Sequence, residues 1–218
     1  MLRKLVSGIA CFLLLAGSVS AAPVVIDFSG FVDQFNPGPH SPNVPLFGQI
    51  VLDDTVVASG PNNTFENAIL SLTITVQDSG GDVTFTSAGP GGRVQQFVNN
   101  STEFIGINFG ANSSGIINGT VEGASGTLTM TDFEIDFRGV DLFGDPTVLA
   151  TGLTQADFSF SELTVNYSTI GLEGLMVERS LDVVTFSTSE SIDEPPMALF
   201  LSFSLLWLVG RARQAPLT

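Results

Sequence analysis

The chain has 218 residues, a formal net charge of −15 and a single cysteine, Cys11. Four of its seven basic residues lie at the two ends, so the part between them keeps Arg93, Arg138 and Arg179 against all twenty-two carboxylates, a net charge of −19. This charge excludes nucleic acid and anionic membrane surfaces as partners of that part, because phosphate binding requires clustered lysine and arginine. Its length suits one domain with a sizeable core.

Residues 1–21 have the features of a secretory signal peptide. Arg3 and Lys4 are followed by an apolar stretch over 9–16 and by small residues around Ala21. We expect export through the Sec machinery and cleavage between Ala21 and Ala22; a buried N-terminal helix is the alternative, which the order of these zones disfavours. Cleavage would remove Cys11, leaving no disulfide, zinc thiolate site or thiol nucleophile.

From residue 24 to 189 the hydrophobic period is two, in short runs separated by Gly, Asn, Asp and Pro, which predicts an all-β domain over 22–190. We expect a proline-rich surface loop over 34–45, a hairpin at 78–82 and a turn at 88–92. The predicted strands, in chain order, are 24–32, 46–52, 68–76, 83–87, 93–98, 103–109, 117–123, 127–131, 132–138, 158–167 and 181–187.

The predicted strands alternate between a buried and a wet face. In 68–76 the pattern places Leu70 and Leu72 inward and Ser71 outward, and in 158–167 the phase slips between Phe160 and Leu163, which indicates a β-bulge. Because helical crossovers are missing, the pattern favours two packed antiparallel sheets of the sandwich or jelly-roll kind with a phenylalanine-rich core. The alternative is a single sheet that closes into a barrel.

Catalytic residue patterns are missing, and we expect a protein that is not an enzyme. His40 is the single histidine and lies in the proline-rich loop, where a nucleophile and base would be poorly held. Carboxylates are the one abundant type of side chain that could act as a general acid or base, so glycoside hydrolysis is the most reasonable enzyme class. Sugar sites usually employ Trp and Tyr, whereas this chain has only Trp207, near its end, and Tyr167.

A second chemical hypothesis is metal binding. We expect no cofactor, and a calcium ion bound at the surface is the one metal that the sequence allows for. Asp132, Glu134 and Asp136 share one strand face at intervals of about 7 Å, too far apart to hold one ion without ligands from a neighbour. Asp141 and Asp145 are loop candidates. A solvated acidic surface that aids solubility is the favoured explanation of each cluster.

The C-terminal segment, residues 191–218, has the order of a membrane-sorting signal. A hydrophobic stretch over 197–210 predicts a helix of roughly 21 Å, short against about 30 Å of hydrocarbon. Glu194, Pro195 and Pro196 precede it, and Arg211 and Arg213 follow it. Under the positive-inside rule the arginines stay cytoplasmic while the domain is exported, so we expect the helix to hold the protein transiently in the membrane.

In these residues the chain resembles the PEP-CTERM proteins, exported bacterial proteins whose tail combines a Pro-Glu-Pro signature, a short hydrophobic helix and an arginine cluster. Here the signature is Glu194-Pro195-Pro196. The resemblance implies recognition by an exosortase-like transpeptidase, removal of the tail and delivery to the cell surface or extracellular matrix. Three alternatives are a retained single-pass anchor, a GPI signal, disfavoured by the closing arginines, and an apolar terminus that packs on the domain.

Together these patterns predict an exported bacterial surface or extracellular-matrix protein with a structural or adhesive role. Extracellular polysaccharide is a candidate partner, whereas nucleic acid is not. The alternative is a secreted carbohydrate-binding or glycoside-hydrolysing domain that uses paired carboxylates.

Overall fold

The structure, a computed structural model, describes residues 22–36, 43–77, 82–87, 90–110, 117–121, 127–169, 172–178 and 180–188. Ala22–Ser189 forms a compact unit. The expected signal helix and C-terminal membrane helix lie outside the described residues, as do His40, Trp207 and the sorting residues Glu194 to Arg213. Within the described part, no helix has the length and apolar character needed to cross a membrane.

The described chain consists mainly of β-strands, which confirms the all-β prediction. The one helical element is a 3-10 turn at Gln155–Asp157. The strands are β1 Val24–Phe31, β2 Gln34–Asn36, β3 Pro45–Leu52, β4 Thr64–Val76, β5 Val83–Ser87, β6 Gly91–Asn99, β7 Thr102–Gly110, β8 Ile117–Val121, β9 Thr127–Gly139, β10 Phe158–Thr169, β11 Leu172–Glu178 and β12 Val183–Thr188.

Hydrogen bonds join these strands into one antiparallel sheet of 12 strands, in place of the two separately paired sheets that the sequence favoured. From β3 to β10 most consecutive strands pair with each other, except that β5 does not pair with β6 and β7 does not pair with β8. β1 pairs with both β3 and β12, while the short β2, which continues β1, pairs with β11. Because β11 also pairs with β10, the sheet curls and brings its late strands next to β2, near the start of the domain.

The two longest strands, β4 and β9, are each flanked by an interrupted neighbour. β5 and β6 pair with successive parts of the same edge of β4 and therefore run in the same direction, which differs from the reversal expected between them. β7 and β8 likewise follow one edge of β9. The predicted strands 127–131 and 132–138 are one strand, β9. β4 and β5 pair antiparallel, as predicted, while most of the expected hairpin turn at 78–82 lies outside the described residues.

The inward face of the curled sheet forms one hydrophobic core. Eight phenylalanines of the described residues are buried in it, which confirms the expected core filler, and each such side chain stabilises the fold by roughly 1.5–3 kcal/mol through removal of apolar surface from water. They are Phe28, Phe65, Phe85, Phe109, Phe133, Phe137, Phe158 and Phe186.

Two irregularities change which side chains face inward. In β4, Asn67 has a φ of 59° and the register shifts on both edges of the strand. Ile69 is therefore buried and Leu70 is 38% exposed, so the prediction that Leu70 faces inward is wrong. In β10 a bulge between Phe158 and Phe160 turns Phe160 outward; the predicted bulge exists, two residues earlier than expected.

The segment 140–157, which connects β9 to β10, covers the end of the sheet where β6 passes into β7. Gln96, which is fully buried, donates from Nε2 to the carbonyl oxygens of Pro146 at 3.1 Å and Val148 at 2.7 Å. Its Oε1 accepts the amide of Ala150 at 2.8 Å. Leu149 and Leu153 of this segment belong to the core, so the amide of Gln96 fixes a buried cap on the sheet.

Sheet edges are protected by the same segment. The amide of Gly152 donates to the carbonyl of Phe186, and the amide of Phe186 donates to the carbonyl of Leu153, both at 2.8 Å. These bonds occupy the edge of β12 that faces away from β1, and covered edges resist strand addition by other chains.

Two strands were not predicted from the sequence. β2 lies inside the expected loop 34–45. β11 was missed because its apolar residues Leu172, Leu175 and Val177 do not alternate with polar ones.

Candidate functional site

The acidic residues selected from the sequence lie on the outer face of β9. Asp132 and Asp136 are partly buried and Glu134 is exposed, and they alternate with the buried Phe133 and Ile135, as the sequence predicted. The outward side chains of β6, β7, β9 and β10 are here called the acidic wall. Because the sheet curls around its core, this wall is convex.

Neighbouring strands complete the acidic wall. On β10, Glu162 lies directly opposite Asp136, while Asn166 lies opposite Asp132 and donates from Nδ2 to its Oδ2 at 3.5 Å. On the other side of β9, Gly106 is paired with Asp136 and Gly110 with Asp132. A Cβ atom at Gly106 would lie 3.1 Å from Oδ1 of Asp136, and one at Gly110 would collide with the carboxylate of Asp132. The glycines therefore let both aspartates lie over the backbone of β7.

This crowding changes the acidity of two carboxyls. Burial raises the pKa of Glu134, and the charges of Asp136 and Asp132 raise it further. Burial also raises the pKa of Asp136, which Arg138 opposes and Glu162 reinforces. Each group therefore holds its proton to a higher pH than a free carboxyl does.

An aromatic and cationic row crosses the acidic wall next to these acids. The rings of Phe97 and Phe104 are stacked, with centroids 4.9 Å apart and planes inclined by 2°. The guanidinium carbon of Arg138 lies 5.4 Å from the ring centroid of Phe104 and 4.3 Å from that of Phe160. We call Phe97, Phe104, Arg138 and Phe160 the Phe–Arg ladder.

The Phe–Arg ladder connects β6, β7, β9 and β10, because Phe97 is paired with Phe104, Phe104 with Arg138 and Arg138 with Phe160. Nε of Arg138 is buried without a hydrogen-bond partner, so cation–π attraction is the main favourable interaction of that part of the side chain. Sequence reasoning missed this arrangement. Its signal is that phenylalanines occupy outward phases in three of the strands.

The loop candidates for metal binding serve the local backbone. The carboxylate Oδ1 of Asp145 accepts hydrogen bonds from the amide of Thr147 at 2.9 Å and from its hydroxyl at 2.7 Å, and these bonds lower the pKa of Asp145. Asp141 adopts a left-handed φ of 57°. In the part of the chain that the structure describes, no group of three or more His, Cys, Asp or Glu is arranged to hold a metal ion, and surface calcium stays a prediction.

The single tyrosine is also removed from any surface role. Tyr167 is 1% exposed and lies against Phe85, with ring centroids 6.3 Å apart. Burial raises the pKa of its hydroxyl to about 12. Tyr167 is therefore part of the core and offers no ring to a carbohydrate.

The fold and site thus define an all-β domain with one curled antiparallel sheet, an apolar interior and an acidic outer wall. No protein-family model, curated protein or solved structure matches the chain.

Proposed function

We propose that this chain is an exported bacterial surface or extracellular-matrix protein with a structural or adhesive role and no catalytic activity. The observation that carries the proposal is the division of the domain into an apolar interior and a polar exterior. The core fills the inward face, while the carboxylates that could perform chemistry are spread over a convex wall. Such a wall suits contact with other molecules better than enclosure of a substrate.

The two ends of the sequence would direct the protein to the cell surface or the extracellular matrix. A signal peptide ending at Ala21 would direct export, and the segment from Glu194 to Arg213, which resembles a PEP-CTERM tail, would be recognised by an exosortase-like transpeptidase. The membrane helix over 197–210 would then be a transient anchor. Matrix polysaccharide is a candidate partner, and a net charge of −19 over the central part of the chain would keep the protein soluble in that matrix.

Intact-mass measurement on protein from the native host tests this proposal. The membrane and matrix fractions should be analysed separately. We expect a matrix species that begins at Ala22 and ends near Pro195. A single membrane-bound species that retains Trp207 and both terminal arginines would contradict processing and would leave a tail-anchored domain.

The carbohydrate-hydrolysing alternative is favoured by one observation, the direct opposition of Asp136 and Glu162. One carboxyl with a raised pKa beside another is the arrangement of a general acid and its partner. A convex wall, however, curves away from a polysaccharide chain. The test is release of reducing sugar from matrix polysaccharide by wild type, Asp136→Asn and Glu162→Gln: a rate that both variants abolish would establish hydrolysis, and no release by wild type would exclude it for that substrate.

A further inference from the structure

Apolar side chains cluster on the outer face of β12, β1 and β3, away from the acidic wall. Ser29 of β1 is paired with Val183 on one side and with Phe47 on the other. Two residues further along β1, Phe31 is paired with Pro45. These four residues, Phe31, Pro45, Phe47 and Val183, surround the small Ser29 and are here called the apolar patch.

The members of the apolar patch are exposed. Phe31, Phe47 and Val183 are 50%, 43% and 52% exposed, and Pro45 is exposed as well. Diagonal neighbours on antiparallel strands lie roughly 7–8 Å apart, within reach of aromatic side chains. Single exposed apolar residues are common, but a contiguous group with two phenylalanines on a strand face is typical of an interaction surface.

Exposed carboxylates border the apolar patch. Asp27 precedes Ser29 on the same face of β1, and its Oδ1 accepts a hydrogen bond from Nε2 of Gln49 at 2.8 Å. Asp182 adjoins Val183, and its amide donates to the carbonyl of Ser29 at 2.9 Å. Asp33 adjoins the other end, after Phe31. All three aspartates are exposed.

This border decides between two kinds of occupant. A second copy placed on the apolar patch would bring two sets of aspartates together, and like charges facing each other across an interface are strongly unfavourable. A protein whose apolar centre is surrounded by lysine or arginine would instead pair its charges with Asp27, Asp33 and Asp182. Exposed aromatic side chains at the centre of such an interface commonly supply most of the affinity.

We propose that the apolar patch binds a protein partner that has an apolar centre and a basic rim. This deepens the adhesive role proposed above by assigning it a surface and a partner chemistry. It does not depend on processing of the tail, so the binding test below and the mass measurement can fail separately.

Binding of synthetic peptides to the protein as the host releases it tests the assignment. The probes are three short extended peptides with alternating leucine and lysine, serine and lysine, or leucine and glutamate, titrated by calorimetry at low and high salt. We expect the leucine–lysine peptide to bind about tenfold more tightly than the serine–lysine peptide, since one desolvated apolar anchor is commonly worth that factor. The leucine–glutamate peptide should bind weakest.

Matched variants locate the binding surface. Phe47→Ser should remove the advantage of the leucine–lysine peptide and leave binding of the serine–lysine peptide unchanged. The control is Val57→Ser, which removes an apolar side chain that is 83% exposed in the β3–β4 connection. Phe31→Ser and Val183→Ser provide independent variants if the melting temperature shows that Phe47→Ser is unstable.

Three outcomes would overturn the proposal. The two lysine peptides could bind equally well, which would show that net charge alone accounts for the binding. The advantage of leucine could survive all three patch variants, which would place it elsewhere. Sedimentation could reveal a dimer that Phe47→Ser dissociates, which would assign the apolar patch to a second copy of this chain.

Discussion

Gln95 and Gln96 are neighbours on β6 and occupy opposite faces of the sheet. Gln96 is fully buried, and its amide holds three backbone groups of the segment 140–157. Gln95 is partly exposed on the acidic wall, where its Nε2 donates to the hydroxyl of Thr64 at 3.2 Å. The same type of side chain thus fixes the fold on one face and makes a surface contact on the other, because Gln96 and the amide of Ala150 are buried whereas Gln95 is partly exposed to water. The inner and outer faces should therefore respond differently to the same substitution.

The largest difference is expected between Phe137 and Phe104. Phe137 is fully buried, with ring centroids 4.7 Å from Phe158 and 5.3 Å from Phe186. Phe137→Ala should lower the free energy of unfolding by about 3–5 kcal/mol, the usual cost of a large core cavity. Phe104→Ala, on the outer face, should lower it by roughly 1 kcal/mol, the contribution of an aromatic pair. Urea unfolding measures both, and equal effects would contradict the assignment of the two faces.

The glutamine pair gives the next largest difference. Gln96→Leu removes three hydrogen bonds, two to the carbonyls of Pro146 and Val148 and one from the buried amide of Ala150, so we expect a loss of about 3 kcal/mol in the free energy of unfolding. Gln95→Leu should change that free energy by less than about 0.5 kcal/mol, as surface substitutions usually do. Hydrogen exchange at the amide of Ala150 should accelerate only in the Gln96 variant. Unchanged exchange there would show that the segment is held by other contacts.

Removal of the Arg138 charge tests the Phe–Arg ladder. Arg138→Met keeps an apolar stem between the rings and should cost about 1 kcal/mol of unfolding free energy, the size of a partly desolvated cation–π interaction. Because the arginine opposes the rise in the pKa of Asp136, its removal should raise that pKa further. An NMR titration of the Asp136 carboxyl checks the direction. Arg138→Lys is the control, and it should preserve the pKa and only part of the stability.

The smallest expected effect is on the pH dependence of stability, which should have opposite signs for Asp136 and Asp145. Asp136 has a raised pKa in the folded state, so its contribution to stability is complete below the pKa of the unfolded chain and is lost as the pH rises through the folded value. Asp136→Asn should therefore increase the free energy of unfolding at pH 7, by about 0.5 kcal/mol for a relieved like-charge pair, and should have little effect near pH 3.

Asp145 provides the opposite case. Its pKa is lowered by the hydrogen bonds from Thr147, so its stabilising contribution is present above the unfolded pKa and is lost as the pH falls through the folded value. Asp145→Asn should lower the melting temperature slightly at neutral pH and should not lower it in acid. Thermal melts of both aspartate variants between pH 3 and 7 would expose an error in either sign.

Part of the candidate site was accessible from the sequence. Strict alternation in 132–138 placed Asp132, Glu134 and Asp136 on the wet face, because the two-residue repeat of a strand leaves no other arrangement once Phe133 and Ile135 are buried. The same rule failed at Leu70. There the register of β4 against β3 skips Leu70, between Ile69 and Ser71, which moves the hydrophobic phase by one residue, and nothing in the local pattern marks the shift.

The sequence by itself determined that this is an all-β domain with an apolar interior rich in phenylalanine and a strongly acidic exterior. These properties follow from local periodicity and composition, which each strand carries alone. Only the tertiary structure decided that the strands form one curled sheet, that Glu162 faces Asp136, that Arg138 lies between Phe104 and Phe160, and that Phe31 and Phe47 share a patch with Val183. Each of these depends on the register between strands distant in the chain, which the sum of core packing and turn geometry selects.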